Sequence, residues 1–197
     1  MKRSIGKGAE QFGLVVMGGS AGVYQALPVV LGGLPPDFRL PVVIVRHVCP
    51  EFRDCGFSAY LNERCRLTVK EADQGELISG GHVYLAPANY HLLVERDRTL
   101  SLNIDEKVKY CRPAIDVLFE TAAEALGSKL IGVILSGAND DGADGLKKIK
   151  DRGGYAIVQD PQTAECAVMP QAAAEACAAD AILAPEEIAA ALVRLAG

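Results

Sequence analysis

The sequence predicts an α/β protein: a mostly parallel, doubly wound sheet covered by helices on both faces, with one antiparallel hairpin inserted. Continuously apolar runs at residues 12–17, 41–45 and 130–135 lack the alternation of a half-exposed strand, so they read as strands buried on both faces. Helical patterns separate such runs, as crossover connections between parallel strands require. Between residues 90 and 104 the pattern changes to alternation about Asp97-Arg98, with Leu92, Val94, Leu100 and Leu102 as the apolar set, and this is the hairpin.

Taken in order, the first strand covers 12–19, and a helix over 22–33 ends at Gly32-Gly33 with Pro35-Pro36 beyond it. A strand at 41–47, an amphipathic helix near 52–63 and short strands near 67–71 and 82–86 follow. After the hairpin strands 90–96 and 99–104 the alternation resumes from Arg112: helix 113–126, strand 130–136, helix 142–152, strand 154–159, helix 169–177, strand 181–184 and helix 186–195.

At 197 residues, half of them apolar, the chain can bury one substantial core and reads as a single domain over 1–197, with residues 1–11 as a tail. The formal net charge of −5, without a dense Lys/Arg block, argues against a nucleic-acid partner. No apolar run approaches the ~20 residues of a membrane crossing, and MKRSIGKGAEQFG has no signal-peptide core, so the expectation is a cytoplasmic protein without membrane insertion. Six cysteines at 49, 55, 65, 111, 166 and 177 show no CxxC and no zinc-type spacing with histidine. They are expected as free thiols, with no metal and no cofactor. Cys49, two residues after His47, is the one cysteine weighed as a nucleophile, although neighbours along one strand seldom present attacking geometry.

Ligands bind beyond the carboxyl ends of strands in such sheets, and three candidates fall there. Ser20 follows the first strand in Gly18-Gly19-Ser20-Ala21-Gly22, a spelling that suits a sharp strand-to-helix turn exposing the hydroxyl; the plainer alternative is a turn that shapes the chain or holds a phosphate. His47 ends the second strand, and Asp140-Asp141 follow the strand Leu130–Ser136. Serine, histidine and aspartate gathered at one sheet edge supply a nucleophile, a general base and the carboxylate that orients it. Their order, Ser, His, Asp, differs from the α/β-hydrolase order. Of the other histidines, His82 suits a structural role and His91 a cleft wall. Asp140 suits a helix-capping role, and Asp144 that of a solvated carboxylate. Arg46, Asn89, Tyr90 and Arg112 are candidates for a polar rim, with pairing of Arg112 to Asp116 as the structural alternative.

Several segments resemble the catalytic domain of the bacterial chemotaxis protein-glutamate methylesterases, the CheB type: GGSAG at 18–22, RHVCPEF at 46–52, KEADQGELISGGHVYLAPANYH at 70–91, CRPAIDVLFETAAEALG at 111–127, GVILSGANDDGADG at 132–145 and Val168-Met169-Pro170. The resemblance runs from about residue 13 to 195. It implies that Ser20, His47 and Asp141 are the catalytic triad, with main-chain amides near Ala21 and Ala138 receiving the oxyanion. It further implies hydrolysis of γ-glutamyl methyl esters on the cytoplasmic helices of chemoreceptors, with glutamine deamidation in some members. Other implied partners are a receptor methyltransferase or a separate response regulator, because only about a dozen residues precede the first strand where the family usually carries a receiver domain.

The chain departs from the family pattern in three places. Ala21-Gly22-Val23 stands where Thr-Gly-Gly is usual, Asn139 where the acidic turn usually has glycine, and Val168 where a glycine precedes Met-Pro. The alternative to an active esterase is therefore a module of the same fold that docks on receptor or partner helices without turnover.

Overall fold

The computed structural model describes residues 12–48 and 56–197. Its elements are β1 (Leu14–Gly19), α1 (Val23–Gly32), β2 (Val42–Arg46), α2 (Phe57–Asn62), β3 (Thr68–Glu71), β4 (His82–Leu85), β5 (His91–Val94), β6 (Leu100–Asn103), α3 (Ile115–Leu126), β7 (Leu130–Ile134), α4 (Ala143–Asp151), β8 (Tyr155–Gln159), α5 (Val168–Ala176), β9 (Ala181–Leu183) and α6 (Pro185–Ala196). Seven strands form one parallel sheet in the order β3-β4-β2-β1-β7-β8-β9, and β5-β6 form a separate antiparallel pair. This is the expected architecture. The expected helix near 52–63 is helical over Phe57–Asn62, and its first residues, with Cys49 and Cys55, lie outside the described segment.

Strand periodicity divides the core. In β1, Val15 and Met17 face one side and pack with Leu27 and Leu31 of α1, Leu61 of α2 and Leu192 of α6. Leu14 and Val16 face the other, where Leu118 and Phe119 of α3, Leu146 of α4, Met169 of α5 and Leu92 of the hairpin cover the sheet. Every residue of β1, β2 and β7 is buried, and apart from Arg46 at the end of β2 their sequences carry no polar side chain, as being covered on both faces requires. Among the described residues, no helix is long and apolar enough to cross a membrane.

Connectivity fixes where the site lies. From β1 the chain adds β2, β4 and β3 on one side, then returns through α3 to place β7 on the other side of β1. The connections leaving β1 and β7 thus diverge at their carboxyl ends, which opens a crevice there. Gly142, the residue before α4, closes this end of the sheet. It takes φ 95°, and a Cβ on it would come within 2.6 Å of both Ile115 and Ile134.

Gly142→Ala should therefore cost roughly 2–4 kcal/mol, combining a left-handed backbone with overpacking. Equilibrium urea denaturation of the variant measures this, and an unchanged midpoint would contradict the close packing of α3, β7 and the loop before α4.

Candidate active site

Backbone pairing brings the first two candidates side by side. Gly19 pairs with Arg46 at the ends of β1 and β2, and the His47 amide donates to the Gly19 carbonyl at 3.2 Å. Ser20 and His47 therefore leave adjacent strands at the same edge. The Ser20 amide reaches across to the Ser136 carbonyl beyond β7, at 2.9 Å. Gly22 takes φ 82° as the chain turns into α1, and a Cβ there would lie 2.5 Å from Ser136 Oγ. The glycine of the serine turn is thus required by both conformation and space.

Asp141 is fully buried beyond β7. Its Oδ2 accepts from His47 Nε2 at 2.7 Å and from the Ile115 amide at 2.7 Å, and its Oδ1 accepts from the Asp116 amide at 3.0 Å. The last two donors are amides at the N-terminus of α3, which have no partner within the helix and no side-chain cap from its own N-cap residue. One carboxylate from a distant loop thus caps α3 and orients the imidazole. Burial pushes the Asp141 carboxyl up, but hydrogen bonds from His47 and the Ile115 and Asp116 amides outweigh it and hold the group below the usual carboxylate range. With Nε2 directed at Asp141, the other ring nitrogen, Nδ1, faces the Cys111 thiol at 3.6 Å. Among the described residues the Ser20 hydroxyl makes no hydrogen bond to His47.

The neighbouring acids have a different arrangement from the one expected. Asp140 does not cap α4; its exposed side chain lies 3.4 Å from Lys109 Nζ, and α4 begins without a side-chain cap. Asp144 likewise pairs with Lys109, at 3.1 Å. Asp116 pairs with Lys109 at 3.0 Å and accepts from the Gly145 amide at 2.8 Å, so it is not the partner of Arg112. Burial pushes the Asp116 carboxyl up to about 6, assisted by the charge of Asp141 and opposed by the Gly145 amide and Lys109. Two adjacent carboxyls thus separate, the one facing the imidazole remaining ionised.

Of the rim candidates, Arg46 is buried, its guanidinium lying 4.3 Å from the Phe57 ring centre and 2.8 Å from the Tyr24 hydroxyl, so it braces the end of β2 beneath the surface. Asn89 and Tyr90 are exposed. Arg112 donates to Asn89 Oδ1 and to the Ile104 and Asp105 carbonyls, which ties two loops together beside the site. His91 is buried, facing the Glu106 carbonyl and accepting from the Ala114 amide, and His82 stacks on Tyr84; both are structural. A small cleft beside His47 is lined by Val48, Lys107, Tyr110, Cys111, Arg112 and Pro113.

Sequence reasoning missed Tyr110 and Cys111, which sit in a tight turn closed by reciprocal Val108–Cys111 backbone bonds with Lys109 and Tyr110 at φ 47° and 67°. Lacking glycine or asparagine, that turn carries no signal of its type. It also missed the support of the serine turn: Ser136 Oγ donates to the Ala21 carbonyl and accepts from the Cys166 amide, while Gln159 accepts from the Ser136 amide. Asn139 is not in the left-handed region; its side chain accepts from the Asp141 amide at 3.3 Å, so the replaced glycine leaves the turn intact. The Ala21 and Ala138 amides carry no hydrogen bond among the described residues and lie beside Ser20 and the acidic turn.

A parallel sheet that gathers serine, histidine and a buried aspartate at its switch point defines a candidate hydrolase of the serine-nucleophile class. The family model described as CheB methylesterase matches residues 15–192. A Leptospira interrogans relative, named provisionally as a protein-glutamate methylesterase/protein-glutamine glutaminase, is 51% identical over 181 residues, covering 92% of this chain and 93% of that protein. Protein-glutamate methylesterase/protein-glutamine glutaminase 2 of Oleidesulfovibrio alaskensis is 38% identical over 184 residues, covering 92% of this chain, which spans about half of that longer relative, 51%. The crystal structure of the Thermotoga maritima CheB methylesterase catalytic domain matches with a TM-score of 0.89 at 35% identity, over 94% of this chain and 100% of that one. The chain belongs to the CheB methylesterase family, a family of carboxylic ester hydrolases.

Because the folded Asp141 titrates below its ordinary value of ~3.9, its ionised form stabilises the fold above that pH, and the contribution fades as pH falls through the lower folded value. Asp141→Asn should lower stability at pH 7 by roughly 1–3 kcal/mol. The gap to the parent chain should narrow below pH ~4 in denaturation series at several pH values.

Proposed function

We propose that this chain hydrolyses γ-glutamyl methyl esters on chemoreceptor cytoplasmic helices, with Ser20 as nucleophile, His47 as general base and Asp141 as its orienting carboxylate. The observation that carries this reading is the 2.7 Å contact of the His47 ring with a fully buried Asp141, formed at the strand end adjacent to Ser20. With its Nε2 proton donated to Asp141, the imidazole keeps a lone pair on Nδ1 to take the serine proton. Ser20 Oγ then attacks the ester carbonyl, and the resulting oxyanion is received by the Ala21 and Ala138 amides. The imidazolium returns its proton to the departing methoxy group, and methanol leaves. Water, deprotonated by the same nitrogen, attacks the acyl-enzyme and releases the glutamate carboxylate and Ser20. Attack on a glutamine side chain by the same route would release ammonia, which is the second activity in the names of the relatives.

A receptor helix is a broad, polar substrate, and Tyr110, Arg112 and Lys107, with Asn89 held by Arg112, offer a polar and aromatic border to the cleft. The reading also places the chain in the cytoplasm, where such helices lie.

Ser20→Ala should reduce methanol release from methylated receptor membranes by on the order of 10³-fold or more without loss of fold. Unchanged turnover would dispose of the serine mechanism, and receptor binding without turnover in the parent chain would favour the docking-module alternative. In the same assay Asp141→Asn should depress the rate far more than Asp140→Asn, because only Asp141 touches the imidazole; equal losses would refute that assignment.

A further inference from the structure

We propose that His47 and Cys111 form a site for a thiophilic divalent cation, represented by Zn²⁺, and that its occupancy switches the esterase off. Cys111 Sγ lies 3.6 Å from His47 Nδ1. Two ligands of one tetrahedral zinc, with Zn–N of ~2.0–2.1 Å and Zn–S of ~2.3 Å, stand ~3.5 Å apart. The pair is already at chelating distance without movement of either residue.

The surroundings are those of a prepared ligand. A metal-bound histidine commonly gives its other ring N–H to a carboxylate, which fixes the tautomer and turns the ring. Asp141 supplies that contact at 2.7 Å and is itself pinned by two amides of α3. Ligand atoms of His47, Cys111 and Asp141 all fall within 4.8 Å of one another. The Val108–Cys111 turn holds the thiol in place, and the cleft lined by Val48, Tyr110 and Pro113 leads to it. Chain separations of 64 residues from His47 to Cys111 and 94 from His47 to Asp141 put the cluster beyond the reach of any spacing rule.

A cysteine thiol, with an ordinary pKa of ~8.5, is mostly S–H at neutral pH. Zinc exchanges that S–H bond for an S–Zn bond, releasing the proton to solvent. The Nδ1 lone pair makes the second bond, and retained water completes the coordination. Lys107 and Arg112 in the cleft wall oppose a cation, so the site fills when metal is abundant and is no permanent structural centre. Metal binding stands apart from the proposed mechanism. Inhibition rests on it, because Nδ1 is the nitrogen that must accept the Ser20 proton.

The test titrates the chelator-treated chain with Zn²⁺ by calorimetry, follows proton release, and measures methanol release in parallel. One Zn²⁺ per chain is expected, with a proton released on binding and activity lost in step with occupancy and restored by chelator. Measured against its own methanol release in chelator, Cys111→Ser should raise the half-inhibiting Zn²⁺ concentration by roughly 10–100-fold or more. His47→Gln, read by calorimetry alone, should lose the same binding. Zn²⁺ binding undiminished in Cys111→Ser, or no binding to the parent chain, would each overturn the proposal. Were Ser20→Ala to remain active while Cys111-dependent binding persisted, the metal site would stand and the serine reading would fall.

Discussion

The Asp141 carboxylate is held by three donors from two separate parts of the chain, and the geometry of the site follows from satisfying them. A buried charge is tolerated only when its lone pairs are occupied. Here two go to the start of α3 and one to His47, so helix, loop and strand end are mutually located to within a hydrogen bond. The helix terminus gains a cap, and the imidazole gains a fixed orientation. Stability and site geometry share one interaction, and for that reason they cannot be varied independently at this position.

Around that carboxylate the charges are sorted by burial. Asp116, close by but directed at Lys109 and Gly145, is pushed up chiefly by its own burial, with the charge of Asp141 adding to it. Burial alone would weaken the Lys109 ammonium, yet Asp116 and Asp144 hold it protonated. This arrangement keeps the acidic turn closed with a single cation. It also explains why Asp140 is better described as a partner of Lys109 than as a cap of α4, and why Asp144 is paired.

Much of the fold was legible because strands buried on both faces must be uniformly apolar, and the chain writes Leu14–Met17, Val42–Val45 and Leu130–Ile134 that way. The candidate residues were legible because parallel topology sends strand ends to one edge. What could not be read depends on side chains meeting across distant loops. Arg46 sits at a strand end, but its burial between Tyr24 and Phe57 depends on α1 and α2 converging over it. Arg112 was legible as polar, and its partners in two other loops were not. Cys111 shows no periodicity or motif, and its place beside His47 arises only from the path of the Val108–Cys111 turn.

The parallel sheet has a kinetic consequence. The contacts that build the site join residues far apart in the chain: 94 positions separate His47 from Asp141, and 115 separate Ala21 from Ser136. Such contacts gain nothing until the intervening chain has been ordered, so they form late and slowly compared with local helices. A partly folded chain can hold α1 or α3 and still lack every element of the site. The appearance of the assembled site during refolding therefore reports closure of β2, β1 and β7 together, whereas recovery of helical signal reports much less.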